Sequence, residues 1–308
     1  MIICKGLSKT YDDHQALENL DLFVEAGDAY GFIGPNGAGK TTTIRILATL
    51  LEPTEGTAEV GGYSVDTHPD DVRRLLGYMP DKFGVYDGMR VWEYLDFYAA
   101  AYRIPRPDRA KLLADVLELT DLGHKREAFV ESLSAGMRQR LCLSKTLLHD
   151  PQVLILDEPA SGLDPRARIE LKELLRELTR MGKTLFVSSH ILPELSDFCN
   201  KVGILESGQL VASGEVEAIL GQLGGARALS IKVLRELEKA AQTIESVAQT
   251  ENVRIEKNQI LLDFHGDLEA MADLSALLVE ANHGLIEFHE EKTNLEKIFL
   301  QVTRGQVG

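Results

Sequence analysis

The chain has 308 residues, of which 44% are apolar, so it can fill the cores of two domains. It carries 33 basic and 48 acidic residues, a formal charge of −15, and the acidic groups are spread along the chain. That distribution argues against a protein that coats nucleic acid, which needs a concentrated positive stripe. The three cysteines are far apart, which argues against a disulfide framework and a zinc site and favours a reducing, cytoplasmic compartment.

Membrane-spanning segments are not predicted. No apolar run approaches the roughly 20 residues that cross a bilayer, and the first residues, MIICKGLSKTYDD, lack the apolar core of a signal peptide. We therefore expect a soluble chain. If it works at a membrane, another polypeptide has to hold it there.

The first two thirds of the chain predict two sheets. Alternating segments before residue 30 and around 57–65 indicate a small antiparallel sheet. Short apolar runs have the pattern of strands buried on both faces, separated by helical patterns; they lie at 30–33, 153–156, 185–187 and 202–205. This pattern is typical of a parallel sheet covered by helices, so we expect an α/β fold.

Helical patterns interrupt the predicted parallel sheet. They lie at 91–122 and 134–149, between the first sheet strand and the later ones. They predict a helical subdomain at about 85–150, and Pro105 and Pro107 break it.

Composition changes at residues 221–225, GQLGG, and we place a domain boundary there, between 1–222 and 226–308. Beyond it, the predicted order is β-α-β-β-α-β, with strands at 229–234, 252–256, 259–264 and 285–289 and helices at 236–249 and 268–283. This order predicts a ferredoxin-like α+β domain with a last helix at 293–302. Dimerisation, regulation, small-ligand binding and a purely structural extension all stay open for this accessory domain.

A phosphate site is predicted at residues 34–41, GPNGAGKT, which match GxxxxGK[ST] between a predicted strand and a predicted helix at 42–50. Glycines let backbone N–H groups approach phosphate oxygens, and the positive end of the helix adds to the attraction. We expect Lys40 to reach the β and γ phosphates of ATP and Thr41 to bind Mg²⁺. The residues predicted to bind the nucleotide in this P-loop NTPase core are Asn36, Gly37, Ala38, Gly39, Lys40, Thr41 and Thr42.

The predicted strand at 153–156 ends in two carboxylates, Asp157 and Glu158, at the sheet edge where such folds bind ligands. We expect Asp157 to hold Mg²⁺, because that hard cation prefers oxygen ligands and keeps part of its hydration shell. Glu158 is expected to orient and polarise the attacking water as the catalytic residue. The alternative is an acidic pair that caps a helix after a core strand.

Residues 132–140, SLSAGMRQR, resemble the signature segment of ABC ATPases, usually written LSGGQ. Ser134 can cap the following helix, and Gly136 lets backbone approach an anion at the positive end of that helix. In the family this surface binds the γ-phosphate of ATP held by the other subunit, so the resemblance implies that Ser134 and Gly136 act in trans. Ala135 and Met137 depart from the motif. An ordinary capped helix is the alternative.

Further matches to the family occur in order within residues 1–215. Tyr11 resembles the aromatic residue that stacks on adenine, although a tyrosine of a small sheet also suits simple packing. Asp164, in SGLDP, resembles a residue of the loop that crosses the dimer interface, and it also suits a helix start. His190 resembles the histidine that contacts the γ-phosphate and helps position water in catalysis.

One position departs from the family pattern. Where members often carry glutamine at the end of a strand, this chain reads GYMPD, with Asp81. That glutamine normally contacts Mg²⁺ or the reacting water and senses the membrane partner. Asp81 keeps an oxygen ligand but is shorter and charged, so we expect it to contact Mg²⁺, with an altered link to the partner.

The resemblance implies the ATP-hydrolysing subunit of an ABC transporter, peripheral at the cytoplasmic face of the cell membrane. Two copies, in a homodimer, are expected to close head to tail on ATP and to drive separate transmembrane permease subunits. A permease helix is expected to dock near residues 81–98, where core packing is the alternative role of the apolar side chains Phe83, Val85, Tyr86, Trp92 and Phe97. The ending NLEKIFLQVT, residues 294–303, resembles that of exporting systems and favours export.

Two other classes of function compete with this hypothesis. A soluble ABC ATPase that acts on ribosomes or DNA is the first, but such relatives usually join two ATPase halves or insert coiled coils or zinc modules. The acidic charge also argues against nucleic acid as a partner. The second is a regulatory ATP sensor that does not hydrolyse ATP.

Overall fold

The computed structural model describes residues 1–84, 88–191, 195, 197–216, 218–219 and 227–290. The chain divides into two compact units; Met1–Val216 belongs to the first, and the described residues after it belong to the second. The predicted boundary between 222 and 226 and the predicted last helix at 293–302 lie outside the described residues. Each unit has its own apolar core.

An antiparallel sheet of four strands opens the first unit, in the order β2-β1-β4-β5. Its strands are β1 (Ile2–Tyr11), β2 (His14–Val24), β4 (Glu55–Val60) and β5 (Tyr63–Ser64). Ile2 lies opposite Val24 on one side and Val60 on the other, and all three side chains are buried. The alternating pattern thus turns one face of this sheet to the core, and the predicted antiparallel sheet is confirmed.

A second sheet has six strands in the order β10-β9-β3-β8-β7-β6, parallel except between β9 and β10. The strands are β3 (Ala29–Ile33), β6 (Leu76–Met79), β7 (Val153–Leu156), β8 (Thr184–Ser189), β9 (Lys201–Glu206) and β10 (Gln209–Glu215). Since β3, β7 and β8 are buried along their whole length, their sequences are largely apolar. The predicted parallel sheet is confirmed. The apolar runs missed β6, which Gly77 interrupts, and the antiparallel edge strand β10.

Helices of the first unit lie between these strands. They include α1 (Lys40–Leu47), α2 (Pro69–Leu75), α3 (Val91–Ala101), α4 (Arg106–Leu119), α5 (Ala135–Leu147) and α6 (Pro165–Arg180). Side-chain caps fix two of the starts. The Ser134 hydroxyl accepts a hydrogen bond from the Met137 N–H at 3.3 Å, and the Asp164 carboxylate accepts one from the Ala167 N–H at 2.9 Å.

Two predicted helices of the first unit have different bounds in the structure. The helix predicted at 42–50 begins earlier, at Lys40, because Gly39 already takes the N-cap position, and it ends at Leu47. The pattern at 91–122 forms two helices, α3 and α4. They separate where the break was predicted, since the prolines at 105 and 107 lie at the start of α4.

The core of the first unit joins both sheets and α1. Its buried cluster includes Leu20, Phe32, Ile44, Val60 and Phe186. Phe32 on β3 and Phe186 on β8 have ring centroids 5.0 Å apart. This packing holds the parallel strands side by side, so the residues that follow β3, β7 and β8 meet at one edge of the sheet.

The second unit contains an antiparallel sheet of four strands in the order β12-β13-β11-β14. Its described elements are β11 (Arg227–Val233), α7 (Leu237–Glu245), β12 (Thr250–Glu256), β13 (Gln259–Phe264), α8 (Leu268–Glu280) and β14 (Leu285–Glu290). Buried side chains from the sheet and both helices, such as Ile231, Ile244 and Leu278, fill its core. The arrangement is ferredoxin-like, as predicted, although α7 ends before the predicted bound at 249.

Candidate nucleotide site

The loop between β3 and α1 contains the predicted phosphate-binding residues, and two of its glycines leave no room for a side chain. Gly39 has a φ of 105°, and a Cβ there would lie 2.5 Å from the carbonyl oxygen of Ala16. A Cβ on Gly34 would lie 2.4 Å from the carbonyl oxygen of Leu205. The loop can approach neighbouring backbone this closely only with glycine at both positions.

Lys40 begins α1, and its side chain is only 6% exposed. Its ammonium donates hydrogen bonds to the carbonyl oxygens of Gly34 at 2.7 Å and Pro35 at 3.2 Å, and it lies 3.5 Å from Glu158 Oε1. Burial lowers the pKa of Lys40, and attraction to Glu158 and Asp157 opposes that shift. A phosphate in the loop would offer this ammonium charged oxygens in place of neutral carbonyls.

Asp157 follows β7 and is buried. Its Oδ2 accepts a hydrogen bond from the Thr41 hydroxyl at 3.1 Å, and its Oδ1 accepts one from the Ser188 hydroxyl at 2.7 Å. Burial raises the pKa of Asp157; the two hydrogen bonds oppose this shift, and the negative charges of Glu158 and Asp81 add to it. A cation beside Asp157 would therefore offset the cost of burying its charge.

Glu158 is held from several sides. Its backbone N–H donates a hydrogen bond to the Ser188 hydroxyl oxygen at 2.9 Å, and its φ of 49° costs a non-glycine residue about 1–3 kcal/mol. One carboxylate oxygen lies 3.5 Å from Lys40 Nζ, and the other lies 2.8 Å from His190 Nδ1. The Glu158 side chain is 14% exposed, and that of His190 is 44% exposed. A carboxylate fixed in this way can orient a water molecule or accept its proton.

The oxygen atoms near Thr41 fit a magnesium ion. The Thr41 hydroxyl oxygen and Asp157 Oδ2 lie 3.1 Å apart. Both are oxygen ligands of the kind that magnesium prefers. In the part of the chain that the structure describes, no group of three or more His, Cys, Asp or Glu side chains could hold a metal ion. Magnesium at Thr41 and Asp157 would thus need phosphate oxygens and water to complete its shell, which is the usual way in which proteins bind it.

An open cleft of about 450 Å³, within the size range of small-molecule sites, is lined by Lys40, Thr41, Glu158 and His190, but not by the buried Asp157. The predicted site residues that line it are Tyr11, Asn36, Gly37, Gly39, Lys40, Thr41, Thr42, Asp81, Glu158 and His190. Four lining residues were not named as site residues, although two of them lie inside quoted motifs: Pro35 and Ser161 do, and His14 and Ala16 do not. His14 and Ala16 have no motif of their own, but their place on β2 across the hairpin from Tyr11 could have indicated them.

Among the residues at 36–42, which were predicted to bind the nucleotide, only Ala38 does not line the cleft. It is buried, its N–H donates a hydrogen bond to the Pro35 carbonyl oxygen at 3.2 Å, and its own carbonyl oxygen accepts one from the Gly208 N–H at 3.0 Å. Both backbone groups of Ala38 therefore close the loop and tie it to the β9–β10 turn.

Ser134, Gly136 and Asp164 also lie apart from the lining of the cleft. Ser134 and Asp164 are the N-caps of α5 and α6, and Ser134 is exposed. A Cβ on Gly136 would lie 2.8 Å from the Cβ of Ala167, so glycine lets the two helix starts approach each other. Within a single chain, these three residues are therefore not positioned to contact a nucleotide bound in the cleft.

The predicted docking region for a membrane subunit is described only in part. Phe97 is 49% exposed, while Phe83 and Trp92 are half-buried. Val85 and Tyr86 lie outside the described residues. Within the described ranges, no helix combines the length and the apolar character that crossing a membrane requires.

Known proteins resemble this chain along nearly its whole length. The ABC transporter family model matches residues 17–161. The Nod factor export ATP-binding protein I of Cupriavidus metallidurans is 32% identical and aligns over 97% of this chain and 96% of its own. The daunorubicin/doxorubicin resistance ATP-binding protein DrrA of Streptomyces peucetius is 31% identical and aligns over 97% of this chain and 91% of its own.

Solved structures share the fold of the first unit. The dimeric structure of an ATP-binding cassette in a post-hydrolysis state with ADP and Pi has a TM-score of 0.64 and 25% identity. The match covers 70% of this chain and 99% of that one. Together with the two long relatives, it confirms the resemblance seen in the signature segment. The chain belongs to the ABC transporter family, as an ATP-binding and ATP-hydrolysing subunit.

Proposed function

We propose that this chain hydrolyses ATP at the cytoplasmic face of the cell membrane to drive export through separate permease subunits. Two relatives of nearly the same length support export, since one is named for export of Nod factor and the other for resistance to daunorubicin and doxorubicin. The sequence ending at 294–303, which also favours export, lies outside the described residues. The chain would be peripheral to the membrane, held there by the permease.

The placement of Glu158 between Lys40 and His190 is the observation that carries the hydrolytic mechanism. There Glu158 orients and polarises the attacking water, and His190 keeps the carboxylate in place and extends towards the γ-phosphate. Lys40 neutralises charge on the β and γ phosphates. Thr41 and Asp157 would hold Mg²⁺, with Asp81 as a further oxygen ligand; bound there, the ion supplies charge neutralisation at the phosphates.

The remaining groups of the reaction would come from a second copy of the chain. Ser134 and Gly136 lie at the start of α5 and outside the chain's own cleft, and Ser134 is exposed, so they are available to the γ-phosphate in another copy. Asp164 starts the neighbouring α6 and would lie near the same interface. In a head-to-tail homodimer, ATP binding would close the two copies and hydrolysis would release them, which moves attached subunits.

Tyr11 and the phosphate loop would hold the nucleotide at the two ends of the cleft. For the accessory domain at 226–308 we propose a role in dimerisation or regulation, because none of the site residues lies in it. Nucleic acid is not proposed as a partner, given the formal charge of −15.

The hydrolytic mechanism is tested with Glu158→Gln in the purified full chain. Glutamine keeps the size of the side chain but cannot take a proton, so we expect steady-state ATP hydrolysis to fall at least about 100-fold while ATP still binds. Glu118→Gln, at an exposed position of α4, is the matched control and should keep the wild-type rate. A Glu158→Gln variant that hydrolyses ATP at the wild-type rate would refute the assigned role.

Two further measurements test whether Asp81 binds Mg²⁺ and whether the chain associates with membranes. Asp81→Ala should weaken the dependence of hydrolysis on Mg²⁺, and an unchanged magnesium titration would show that Asp81 does not replace the usual glutamine. In a pull-down from cell extract, we expect membrane fractions to retain the chain. Association with ribosomes or DNA alone would contradict the proposed transporter function.

A further inference from the structure

We propose that His14 contacts the nucleoside of the bound ATP, beside Tyr11, and so helps to select the ligand. This inference rests on the proposed binding of ATP in the cleft and assigns a residue to it that no sequence motif marks. It concerns the base and ribose, because the phosphate loop accounts for the other end of the cleft.

The position of His14 follows from the hairpin that joins β1 and β2. Tyr11 and His14 are direct cross-strand partners, and only Asp12 and Asp13 lie between them. Residues directly opposite each other on antiparallel strands have Cβ atoms about 4.5–5.5 Å apart and project from the same face. Both residues line the cleft that contains Lys40. A base that stacks on Tyr11 therefore lies within reach of the His14 ring.

The surroundings of Tyr11 restrict where that base can lie. Lys9 Nζ lies 5.5 Å from the centroid of the Tyr11 ring, and it donates a hydrogen bond to the Glu52 carbonyl oxygen at 2.8 Å. The ammonium is thus anchored over one side of the ring. A flat base has the other side of Tyr11 for stacking, which leaves its edge and the ribose for a contact with a neighbouring side chain.

The chemistry of His14 suits such a contact. Its ring can donate a hydrogen bond through one nitrogen and accept one through the other, and the base edge and the ribose hydroxyls offer both kinds of partner. Among the described residues, the His14 side chain forms no hydrogen bond or ion pair, and it is exposed. The ring is therefore free to bind a ligand without the loss of an internal contact.

The test compares ATP with tripolyphosphate, which has the phosphates but no nucleoside, by calorimetry on the full chain. In His14→Ala we expect the Kd for ATP to rise about threefold to tenfold, the value of one hydrogen bond, and the Kd for tripolyphosphate to stay unchanged. His14→Gln keeps a donor and an acceptor and should recover part of the affinity. His124→Ala, at another exposed histidine of the first unit, should change neither Kd.

Each other result overturns the inference in a recognisable way. An unchanged Kd for ATP in His14→Ala would show that His14 does not touch the ligand. Equal weakening of ATP and tripolyphosphate would show that the substitution disturbs the phosphate loop instead. If the wild-type chain bound tripolyphosphate and ATP equally well, no nucleoside would be recognised, and if it bound neither, the proposed function itself would fail.

Discussion

The two units of this chain differ in where they bury polar groups. In the first unit, Lys40, Asp157, Ser188 and Ser189 are buried near the carboxyl edge of the parallel sheet. In the described part of the second unit, the buried polar residues are Ser230 and His283, and its charged side chains form exposed pairs such as Lys232 with Glu287. Burying a polar group costs free energy unless it finds partners, so a cluster of them marks a functional site.

The two units therefore differ in what their residues are selected for, which is ligand binding at the cleft of the first unit and core packing in the second. The first unit carries residues whose position is explained by ligand chemistry, such as the strained Glu158 at a φ of 49°. In the described part of the second unit, the helices and strands are held by one apolar cluster to which each of them contributes. We therefore expect substitutions in the second unit to change stability and substitutions at the cleft to change activity.

The largest expected effect is on the core of the second unit. Phe264 is 1% exposed at the end of β13 and packs in that unit's apolar cluster. Phe264→Ala removes most of a buried ring and should lower the free energy of unfolding of this unit by about 3–5 kcal/mol. Because the core clusters of the two units share no residue, ATP hydrolysis should be retained while the second unit melts earlier. Denaturant unfolding followed in parallel with ATPase activity measures both.

Leu268→Ala is the control for this substitution, because Leu268 is 65% exposed in the same unit and its loss should cost less than about 0.5 kcal/mol. Loss of ATP binding in Phe264→Ala would contradict the expectation that substitutions in the second unit change stability but not activity. It would show that the cleft depends on the core of the second unit.

The next effect concerns Ser188, which no motif assigned to the site. Its hydroxyl donates to Asp157 at 2.7 Å and accepts from the Glu158 N–H at 2.9 Å. Ser188→Ala removes both contacts, so it should lower kcat/KM for ATP about 10- to 100-fold, as losses of supporting groups around metal ligands do. The fold should persist, because alanine fits the space that serine leaves.

Steady-state rates across a magnesium titration measure this effect, and Ser188→Thr should restore much of the activity by restoring the hydroxyl. Ser275→Ala is the matched change in the second unit, where the Ser275 hydroxyl donates a hydrogen bond to the Ala272 carbonyl oxygen at 2.7 Å. It should leave the rate unchanged. A Ser188→Ala chain with wild-type kinetics would show that Asp157 and Glu158 are held without it.

Much of the site was predictable because its chemistry requires fixed residue types at fixed spacings. Most residues of the loop at 34–41 line the cleft with Glu158, Tyr11, Asp81 and His190, and Asp157 accepts a hydrogen bond from Thr41. Ala38 does not line the cleft, and spacing does not reveal that its N–H bonds back to Pro35. Ser188 was missed because its contacts follow from the pairing of β8 with β7, which is distant in the sequence, and His14 was missed because no motif contains it.

The fold was predictable to a similar degree. Buried strands gave unbroken apolar runs, and the second unit gave its full element order. The apolar runs did not reveal β6, where a Cβ on Gly77 would lie 2.7 Å from Leu154 Cδ2, so tight packing selects glycine within a strand. Helix ends were also uncertain, because α1 begins at a glycine N-cap that supplies no side-chain signal.

Each unit has a histidine whose buried Nδ1 finds no hydrogen-bond partner among the described residues, namely His149 in the first and His283 in the second. His149 Nε2 lies 3.0 Å from the Leu76 carbonyl oxygen, which can only accept, so this nitrogen carries the proton. The His149 ring also stacks on the Tyr102 ring, with the two ring centroids 4.2 Å apart. Burial lowers the pKa of His149, with opposition from its bond to Leu76 and from Asp150.

The smallest expected effect follows from that lowered pKa. Between the ordinary histidine value of about 6.5 and the lower folded value, the unfolded chain binds more protons, so the free energy of unfolding falls as the pH falls through this window. His149→Gln keeps a donor for Leu76 but cannot titrate, so its Tm should fall less than that of the wild type between pH 7.5 and 5.5. The difference between the two losses of Tm should be at most about 2–4 °C, which is the shift that a change of about 1 kcal/mol in the free energy of unfolding causes in a unit of this size. Equal losses of Tm in the two chains would show that other groups set the acid sensitivity, and His124→Gln should match the wild type at every pH.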